Sequence, residues 1–396
     1  MDFYLLRLFN IKRMLWGIGI LSCLLVPAKA YCQTVGDSVI SIGKAYHLYS
    51  GELKENRSYW VYLPQHYNDP RYPTQRYPVL YLLDGDVNFH SLTGMLQFLS
   101  KGAYAQLPEM IVVGILNTDR TRDLTPTYAN VKAMNGISAS FESSGGAEGF
   151  ISFLKNEMMP LIDSSYRTMG YRILTGHSFG GLAAVNILLH HPGMFHSYLA
   201  IDPSLWWDNE YMLRRADSLF RDENRFKGRQ LFMSLAFKEH SEIDTTTDQE
   251  RAIRTFAAKL KRNAPVGLRW NFAYYESEDH GSVPLRSELE GLRFLFKGYQ
   301  AEVKQLLQKP ELLEAGYKEL SVQLGYTFLP PEYLVDWIAS FCEKNGKYSS
   351  AKYLLEMNVR NYPESKGAAE RLHNVVQKRF SRAEGRYQSR RGEFLR

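Results

Sequence analysis

Cysteine is scarce in this sequence, with three in 396 residues. Cys23 and Cys32 lie near the amino terminus, and Cys342 lies in a distant segment. Zinc modules and disulfide-stapled domains need cysteines at characteristic close spacings. The sequence therefore excludes a structural zinc site and a disulfide framework. Hydrophobic residues, which make up 45% of the chain, are numerous enough to build a large core instead.

Long apolar runs are also lacking, with one exception near the amino terminus. Residues 14–26 form a short apolar stretch behind several basic residues, and Ala28 and Ala30 then supply the small side chains of a cleavage site. This order is typical of a secretory signal peptide, here residues 1–30. A membrane anchor is the first alternative, but the stretch is short for one. Lipidation of Cys32 is the second, although the residues before it are a poor match. We therefore predict a secreted or periplasmic protein with no membrane span after cleavage.

A basic face is missing from the body of the chain, despite a formal net charge of +6. Residues 1–30 carry a net +3 and residues 378–396 a net +5, which leaves about −2 for the rest. Nucleic-acid-binding proteins concentrate lysine and arginine on one surface. The charge distribution therefore argues against a nucleic-acid partner, and the basic tail is expected to be a solvated end.

Strand and helix patterns alternate through most of the chain. After a predicted hairpin within residues 35–63, continuous apolar runs recur at 77–85, 109–117, 172–176, 197–203, 229–237 and 268–276. Runs of this kind are buried on both faces, as in a parallel sheet covered by helices. Helical periodicity fills several of the intervals, at 149–166, 180–192 and 249–263. The order predicts an α/β fold with a mostly parallel central sheet.

Strand signals stop near Tyr299, and helical stripes separated by prolines and glycine continue to the end. Residues 345–365 resemble one tetratricopeptide-type helix pair, but solenoid repeats need neighbours to bury their faces. We therefore divide the chain into the signal peptide, an α/β sheet domain at 31–300 and a small helical appendage with its basic tail at 301–396. The appendage either packs against the sheet domain, the simpler arrangement, or binds a protein partner.

A Gly-x-Ser-x-Gly pattern lies at the junction of a predicted strand and a predicted helix. It reads Gly176-His177-Ser178-Phe179-Gly180. This pattern occurs by chance in many chains, so the strand before it and the helix after it decide whether it indicates a nucleophile. A hydrolase nucleophile sits on a sharp strand-to-helix turn, where small residues allow close backbone passage and the helix amides face the site. The context fits, and Ser178 is predicted to be the nucleophile.

A general base should follow the last strand, and His280 lies in the loop after residues 268–276. The acid should lie just past the strand at 229–237. Glu239 is nearest to that strand end, while Glu242 and Asp244 remain open, as does a Ser–His pair without a strong acid. The other nearby histidines (His177, His190, His191 and His196) are interpreted as elbow, helix and surface residues.

The oxyanion hole should combine two backbone amides. One belongs to Phe179, directly after the nucleophile. The other comes from the turn at 85–87, where we select Asp86. A plain turn or a metal site are the alternatives for this acidic turn, but no matching carboxylate cluster occurs elsewhere in the sequence.

These segments together resemble the "putative esterase" (esterase D-like) family of α/β hydrolases, and best its siderophore-esterase-like branch. The resemblance spans roughly residues 40–300 and is carried by residues 81–89, 144–168, 176–195, 202–209 and 279–296. It implies Ser178 as nucleophile and His280 as base, and it matches Trp206 and Trp207 to an aromatic loop near the pocket. The sequence departs from the family pattern at Asp202, where serine is usual, and again after Phe237.

The resulting hypothesis is carboxylic ester hydrolysis through an acyl-enzyme, with no metal or cofactor. The family includes esterases of siderophore lactones and of acylated sugars, so a small-molecule or glycan ester is the expected substrate. Arg120, with Arg122, either meets an anionic ligand or pairs with Asp119 and Asp123 to hold its loop. Acyl transfer on the same fold is one alternative function. A non-catalytic binding protein that uses the helical appendage is the other.

Overall fold

The structure is a computed structural model that describes residues 40–129, 141–222, 224–237 and 247–378. The predicted signal peptide and most of the basic tail lie outside these ranges. The chain divides into Met1–Ser41 and Ile42–Arg396, and every element named below belongs to the second unit.

A central sheet of 8 strands runs in the order β1-β2-β4-β3-β5-β6-β7-β8. The strands are β1 (Lys44–Ser50), β2 (Glu55–Tyr62), β3 (Tyr77–Leu82), β4 (Ile111–Ile115), β5 (Thr168–His177), β6 (Ser197–Ile201), β7 (Arg229–Ala236) and β8 (Leu268–Tyr275). β1, β2 and β4 pair antiparallel, and the pairs from β4 through β3 to β8 are parallel. The prediction of an α/β fold with a mostly parallel sheet is confirmed.

Helices connect the strands and cover both faces of the sheet. They are α1 (Gly85–Leu99), α2 (Arg120–Leu124), α3 (Ala147–Phe153), α4 (Met159–Ser165), α5 (Phe179–His190), α6 (Trp207–Leu219), α7 (Thr247–Asn263), α8 (Val283–Leu295), α9 (Val303–Leu306), α10 (Glu311–Leu324), α11 (Glu332–Lys344) and α12 (Tyr348–Asn361). A π-helical turn at Leu154–Met158 joins α3 to α4. Residues 366–378 are also helical. None of the helices in the described ranges has the length and apolar character to cross a bilayer.

The central strands are buried on both faces because consecutive side chains point to opposite sides of a sheet. In β3, Val79 and Tyr81 belong to one hydrophobic cluster, together with residues of α3 to α7. Leu80 and Leu82 belong to another, together with residues of α1 and α8. This double burial explains why the sequence of such a strand is continuously apolar rather than alternating.

The carboxy-terminal helices contribute to the second of these clusters. Leu320 of α10, Ile338 of α11 and Leu354 of α12 are buried in the same cluster as Leu80 of β3 and Leu292 of α8. The helical segment therefore shares a hydrophobic core with the sheet in this structure. The domain boundary at residue 300 stays a prediction.

Candidate active site

Ser178 lies on a tight turn between β5 and α5. Its φ of 58° and ψ of −113° are unusual for a residue with a side chain. The turn requires small neighbours: a Cβ on Gly176 would lie 2.4 Å from the carbonyl carbon of Gly180. A Cβ on Gly181 would likewise lie 2.9 Å from the Cα of Pro203. Gly176 and Gly181 are thus needed because the backbone passes too close for side chains.

Hydrogen bonds to the strands and loop beside it hold this turn in place. The Ser178 amide donates to the carbonyl of Ile201 at 3.0 Å, and the Ser204 amide donates to the Ser178 carbonyl at 3.1 Å. The Oγ atoms of Ser178 and Ser204 are 3.2 Å apart. The Ser178 hydroxyl is therefore presented at the carboxyl ends of β5 and β6, where the active sites of open α/β sheets lie.

His280 follows β8 and contacts a buried carboxylate. Its Nδ1 lies 2.6 Å from the Oδ2 of Asp202, which directly follows β6. The Asp202 side chain is only 4% exposed, whereas that of His280 is 46% exposed. The Oδ1 of Asp202 accepts a hydrogen bond from the backbone N–H of Ala236, at 3.3 Å. An acid–imidazole contact of this kind fixes the ring and its tautomer.

The predicted acids Glu239, Glu242 and Asp244 lie outside the described residues, so their role stays a prediction. Sequence reasoning missed Asp202 as a candidate because it searched after β7, where the family order places the acid. One signal was present: an aspartate stands immediately after a buried parallel strand, next in the sheet to the strand that precedes Ser178.

Ser178 and His280 are not hydrogen-bonded to each other within the described residues. The imidazole of His280 packs instead against that of His177, with ring centroids 4.4 Å apart and planes inclined by 45°. Catalytic hydrogen bonds are often long until substrate binds, so the missing Ser178–His280 hydrogen bond is compatible with a catalytic pair. Proton transfer within this pair requires the exposed ring of His280 to turn towards Ser178.

His177 occupies the position before the nucleophile. The pKa of His177 is lowered to about 4, mainly by burial and secondly by the adjacent His280. The ring is therefore neutral near pH 7. Its Nε2 is buried and has no hydrogen-bond partner among the described residues. One ligand atom each from His177, Asp202 and His280 lie within 4.8 Å of one another, a set that could hold a metal ion.

The predicted oxyanion amides lie at the amino-terminal ends of two helices. Asp86 is in the first turn of α1, and Phe179 is the first residue of α5. Amides at these positions have no acceptor within their own helix. Asp84, just before α1, has φ of 55° and ψ of 44°, which turns the chain sharply at the end of β3. Both amides are thus available to an anion, and their pairing in an oxyanion hole stays a prediction.

Arg120 connects these two helix starts. Its Nε and one terminal nitrogen bind the two carboxylate oxygens of Asp84, at 2.6 and 2.9 Å. The same terminal nitrogen donates to the carbonyl of His177 at 3.2 Å. Its guanidinium also lies 5.4 Å from the ring centre of Phe179. Arg120 therefore links the turn before α1 to the turn that carries Ser178.

The sequence interpretation in which Arg120 and Arg122 pair with Asp119 and Asp123 agrees with the structure only for Arg122. Arg120 pairs with Asp84 rather than with Asp119 or Asp123. Arg122 does pair with Asp123, as that interpretation states, and also binds Glu55. Sequence spacing favoured neighbours along the loop, whereas the partner of Arg120 comes from the adjacent strand end.

The two tryptophans differ in their surroundings. Trp207 is fully buried, and its indole N–H donates to the backbone oxygen and hydroxyl of Thr127. It packs edge-on against Phe179, so it supports the turn that carries Ser178 and offers no exposed surface to a ligand.

Trp206 is only partly buried and donates to the side-chain oxygen of Gln249 at 3.2 Å. The amide nitrogen of Gln249 in turn donates to the backbone oxygen of Asp202 at 3.1 Å. Trp206 is thus the member that can face a substrate.

The strand order, the turn at Ser178 and the His280–Asp202 contact define the class of α/β hydrolases. Within that class, the chain belongs to the esterase family whose sequence model, described as "Putative esterase", matches residues 50–264. The prediction of this family is confirmed. Carboxylic ester hydrolysis is accordingly the activity of the protein.

Relatives with named activities extend the comparison. The chain is 28% identical over 239 residues to the ferri-bacillibactin esterase BesA of Bacillus subtilis, covering 58% of this chain and 81% of that protein. It is 29% identical over 248 residues to a siderophore enterobactin esterase of Emericella nidulans, covering 54% and 81% respectively. The crystal structure of an IroE-like serine hydrolase from Shewanella oneidensis is similar with a TM-score of 0.72 and 33% identity, covering 80% of this chain and 99% of that one. The resemblance to the siderophore-esterase-like branch is thereby confirmed.

Proposed function

We propose that this protein hydrolyses the ester bonds of siderophore lactones through an acyl-enzyme on Ser178. The observation that supports the proposal is the strained turn that carries Ser178, with the ring of His280 packed on the adjacent His177 and held by Asp202. The named activities of the relatives supply the substrate class, since both act on siderophore esters.

The contacts suggest a role for each group. Asp202 accepts the Nδ1–H of His280, which leaves the lone pair of Nε2 free to take the proton of Ser178. The Oγ of Ser178 then attacks the ester carbonyl. The amides of Phe179 and Asp86 stabilise the oxyanion, and His280 returns the proton to the leaving alcohol. Water, activated by the same imidazole, releases the acyl group.

The surroundings of the site favour an apolar or aromatic ester. Large apolar side chains are exposed just past the carboxyl ends of three strands: Val87 in the first turn of α1, Phe237 directly after β7 and Leu285 in the first turn of α8. Exposed apolar side chains at this end of the sheet can contact an apolar acyl or aryl group of a substrate. Trp206 adds an aromatic face on the side of α6. Acylated sugars remain the second substrate class because an aromatic face also stacks on sugar rings.

The amino-terminal residues suggest where the reaction occurs. We propose that residues 1–30 act as a signal peptide and that the esterase works in the periplasm or outside the cell. Sequencing the amino terminus of the protein recovered from cell fractions tests this. A start near residue 31 in an extracytoplasmic fraction is expected, and an intact Met1 in the cytoplasm would contradict the proposal.

Replacing Ser178 with alanine tests the nucleophile. Hydrolysis of p-nitrophenyl butyrate and of ferric and iron-free siderophore trilactones should fall by about 10⁴-fold or more, because the acyl-enzyme cannot form. A fluorophosphonate should also label Ser178 in the unaltered protein, as shown by mass spectrometry. Ser164→Ala, which removes an exposed hydroxyl that donates to Leu161 of its own helix, is the matched control and should retain full activity.

Equal rates for the unaltered and Ser178→Ala proteins would exclude the mechanism. A panel with feruloyl sugars and acetylated xylan then ranks the substrates, and trilactones should give the highest kcat/KM. Product analysis with added alcohols separates hydrolysis from acyl transfer. Transfer to a sugar acceptor in preference to water would favour the transferase alternative.

A further inference from the structure

His177, Asp202 and His280 form a set of side chains that the ester hydrolysis uses only in part. Asp202 and His280 have proposed roles in the reaction, but the side chain of His177 has none. Its Nε2 is buried without a hydrogen-bond partner among the described residues, and its ring packs against that of His280. A buried imidazole nitrogen with no partner is costly unless something binds it.

We propose that these three residues form an inhibitory site for a zinc ion. Two imidazoles and one carboxylate, with water as the fourth ligand, are a common zinc coordination set. The three ligand atoms lie within 4.8 Å of one another. A tetrahedral zinc site places its ligand atoms about 3.3 Å apart, so modest side-chain rotation closes the set. The 46% exposed ring of His280 gives the ion a path from solvent and supplies much of that rotation.

Zinc at this position would stop the ester hydrolysis whichever ring nitrogen of His280 it binds. A neutral imidazole carries one proton and one lone pair. If zinc takes the Nε2 of His280, the lone pair that should accept the proton of Ser178 is used. If zinc takes Nδ1, the remaining proton sits on Nε2, which again cannot accept one. In the second case zinc also separates the imidazole from Asp202, since the ion lies between Nδ1 and the carboxylate. The inhibition, unlike the binding, rests on the proposed role of His280 as the base.

The ligand types distinguish zinc from the hard cations. Imidazole nitrogen binds zinc and the neighbouring transition metals well, whereas Mg²⁺ and Ca²⁺ prefer sets made only of oxygen. One carboxylate with two imidazoles therefore favours Zn²⁺ over Mg²⁺. The expected effect is reversible inhibition by zinc chloride, relieved by EDTA, with no inhibition by magnesium chloride at the same concentration.

Zinc binding and zinc inhibition are measured separately. Isothermal titration calorimetry with zinc chloride should show one site on the unaltered protein, and on Ser178→Ala with unchanged affinity because Ser178 is not a ligand. His177→Asn should weaken binding by about tenfold or more, since even changes outside the ligand shell cost that much at metal sites. Its inhibitory zinc concentration, measured against its own rate without zinc, should rise by a similar factor.

An exposed histidine on α1 supplies the control for the zinc measurements. His90→Asn changes an exposed histidine on α1 and should leave zinc affinity and inhibition as they are. His177→Gln provides a second substitution, with folding checked by circular dichroism, in case asparagine perturbs the turn. The inference is overturned if the unaltered protein binds no zinc, or if His177→Asn binds zinc with the same affinity as the unaltered protein. Zinc binding by a protein without esterase activity would overturn only the proposed function.

Discussion

Asp202 is fixed by contacts on several sides. Its backbone has a φ of 40°, in the left-handed region, and its amide donates to the carbonyl of Ser234. One carboxylate oxygen accepts from Ala236 and the other from His280. Because β7 supplies two of these contacts, the carboxylate is held between β6 and β7 and can orient the imidazole without moving itself.

Replacing Asp202 with asparagine tests that role. Asn keeps the shape and still accepts from Ala236, but its amide turns the imidazole towards the wrong tautomer. We expect kcat for p-nitrophenyl butyrate to fall by about 10⁴-fold with little change in KM. Glu239→Gln is the matched comparison, because Glu239 is the acid that the family order selects. A large loss with Glu239→Gln and none with Asp202→Asn would return the role to Glu239.

At this scale the sequence predicts some features and not others. Ser178 and His280 can be proposed because local motif and chain order constrain them together. Asp202 cannot, because its function depends on which strands are neighbours in the sheet and on a backbone conformation that no local pattern encodes. The burial of Trp207 is equally hidden, since its neighbour Trp206 has the same residue type in the same loop.

Arg120 acts at the scale of elements, because it connects α1, α2 and α5. It is the first residue of α2, and it binds the residue before α1 and the carbonyl before Ser178. The two proposed oxyanion amides belong to the helices that it links. Their separation is therefore set partly by one guanidinium, whose planar fork matches a carboxylate in two places.

Replacing Arg120 with lysine should loosen this connection while keeping the charge. Lysine cannot bind Asp84 through two parallel hydrogen bonds, so the amides lose their fixed spacing. We expect kcat to fall by about 10²-fold, the cost of a misplacement near 1 Å, with a smaller effect on KM. Arg122→Lys provides the control, because Arg122 binds Glu55 and Asp123 rather than the turn of Ser178.

The kinetic comparison decides between two roles for Arg120. A positioning residue affects kcat, while a residue that mainly binds an anionic substrate raises KM and leaves kcat unchanged. If Arg120→Lys raised KM only for ferric siderophores and left p-nitrophenyl butyrate turnover intact, the positioning role would be wrong. The elements themselves follow from continuous apolar runs, but this connection between them could not be predicted, because the carboxylate partner lies 36 residues away.

Two large hydrophobic clusters lie on the two faces of the sheet. The helix that follows Ser178 packs in the first cluster, and the helices α10 to α12 pack in the second. The sequence predicted helices after Tyr299 from their periodicity. It left their location open, because an amphipathic stripe shows that a face is buried and not which surface buries it.

Substitutions on α10 test whether these helices stabilise the esterase. Leu320→Asp places a charge at a position that is 2% exposed, so the free energy of unfolding should fall by several kcal/mol. Val322→Asp, on the same helix at a position that is 84% exposed, is the matched control and should change stability little. Thermal unfolding followed by circular dichroism and by residual esterase activity measures both.

A cooperative unit should lose helix content and activity together in Leu320→Asp. Two separate transitions, with activity surviving the loss of the carboxy-terminal helices, would instead support an independent appendage. Either result decides the boundary that the sequence suggests near residue 300.

The alternation of β3 has a consequence for how this protein can change over generations. Neighbouring residues of one strand serve separate clusters, so substitutions in the helices of one face need no compensation across the sheet. A lineage could therefore redesign α10 to α12, and any surface that they expose, while the turn of Ser178 stays as it is. The strand separates two packing environments, and only substitutions within the strand itself have to satisfy both.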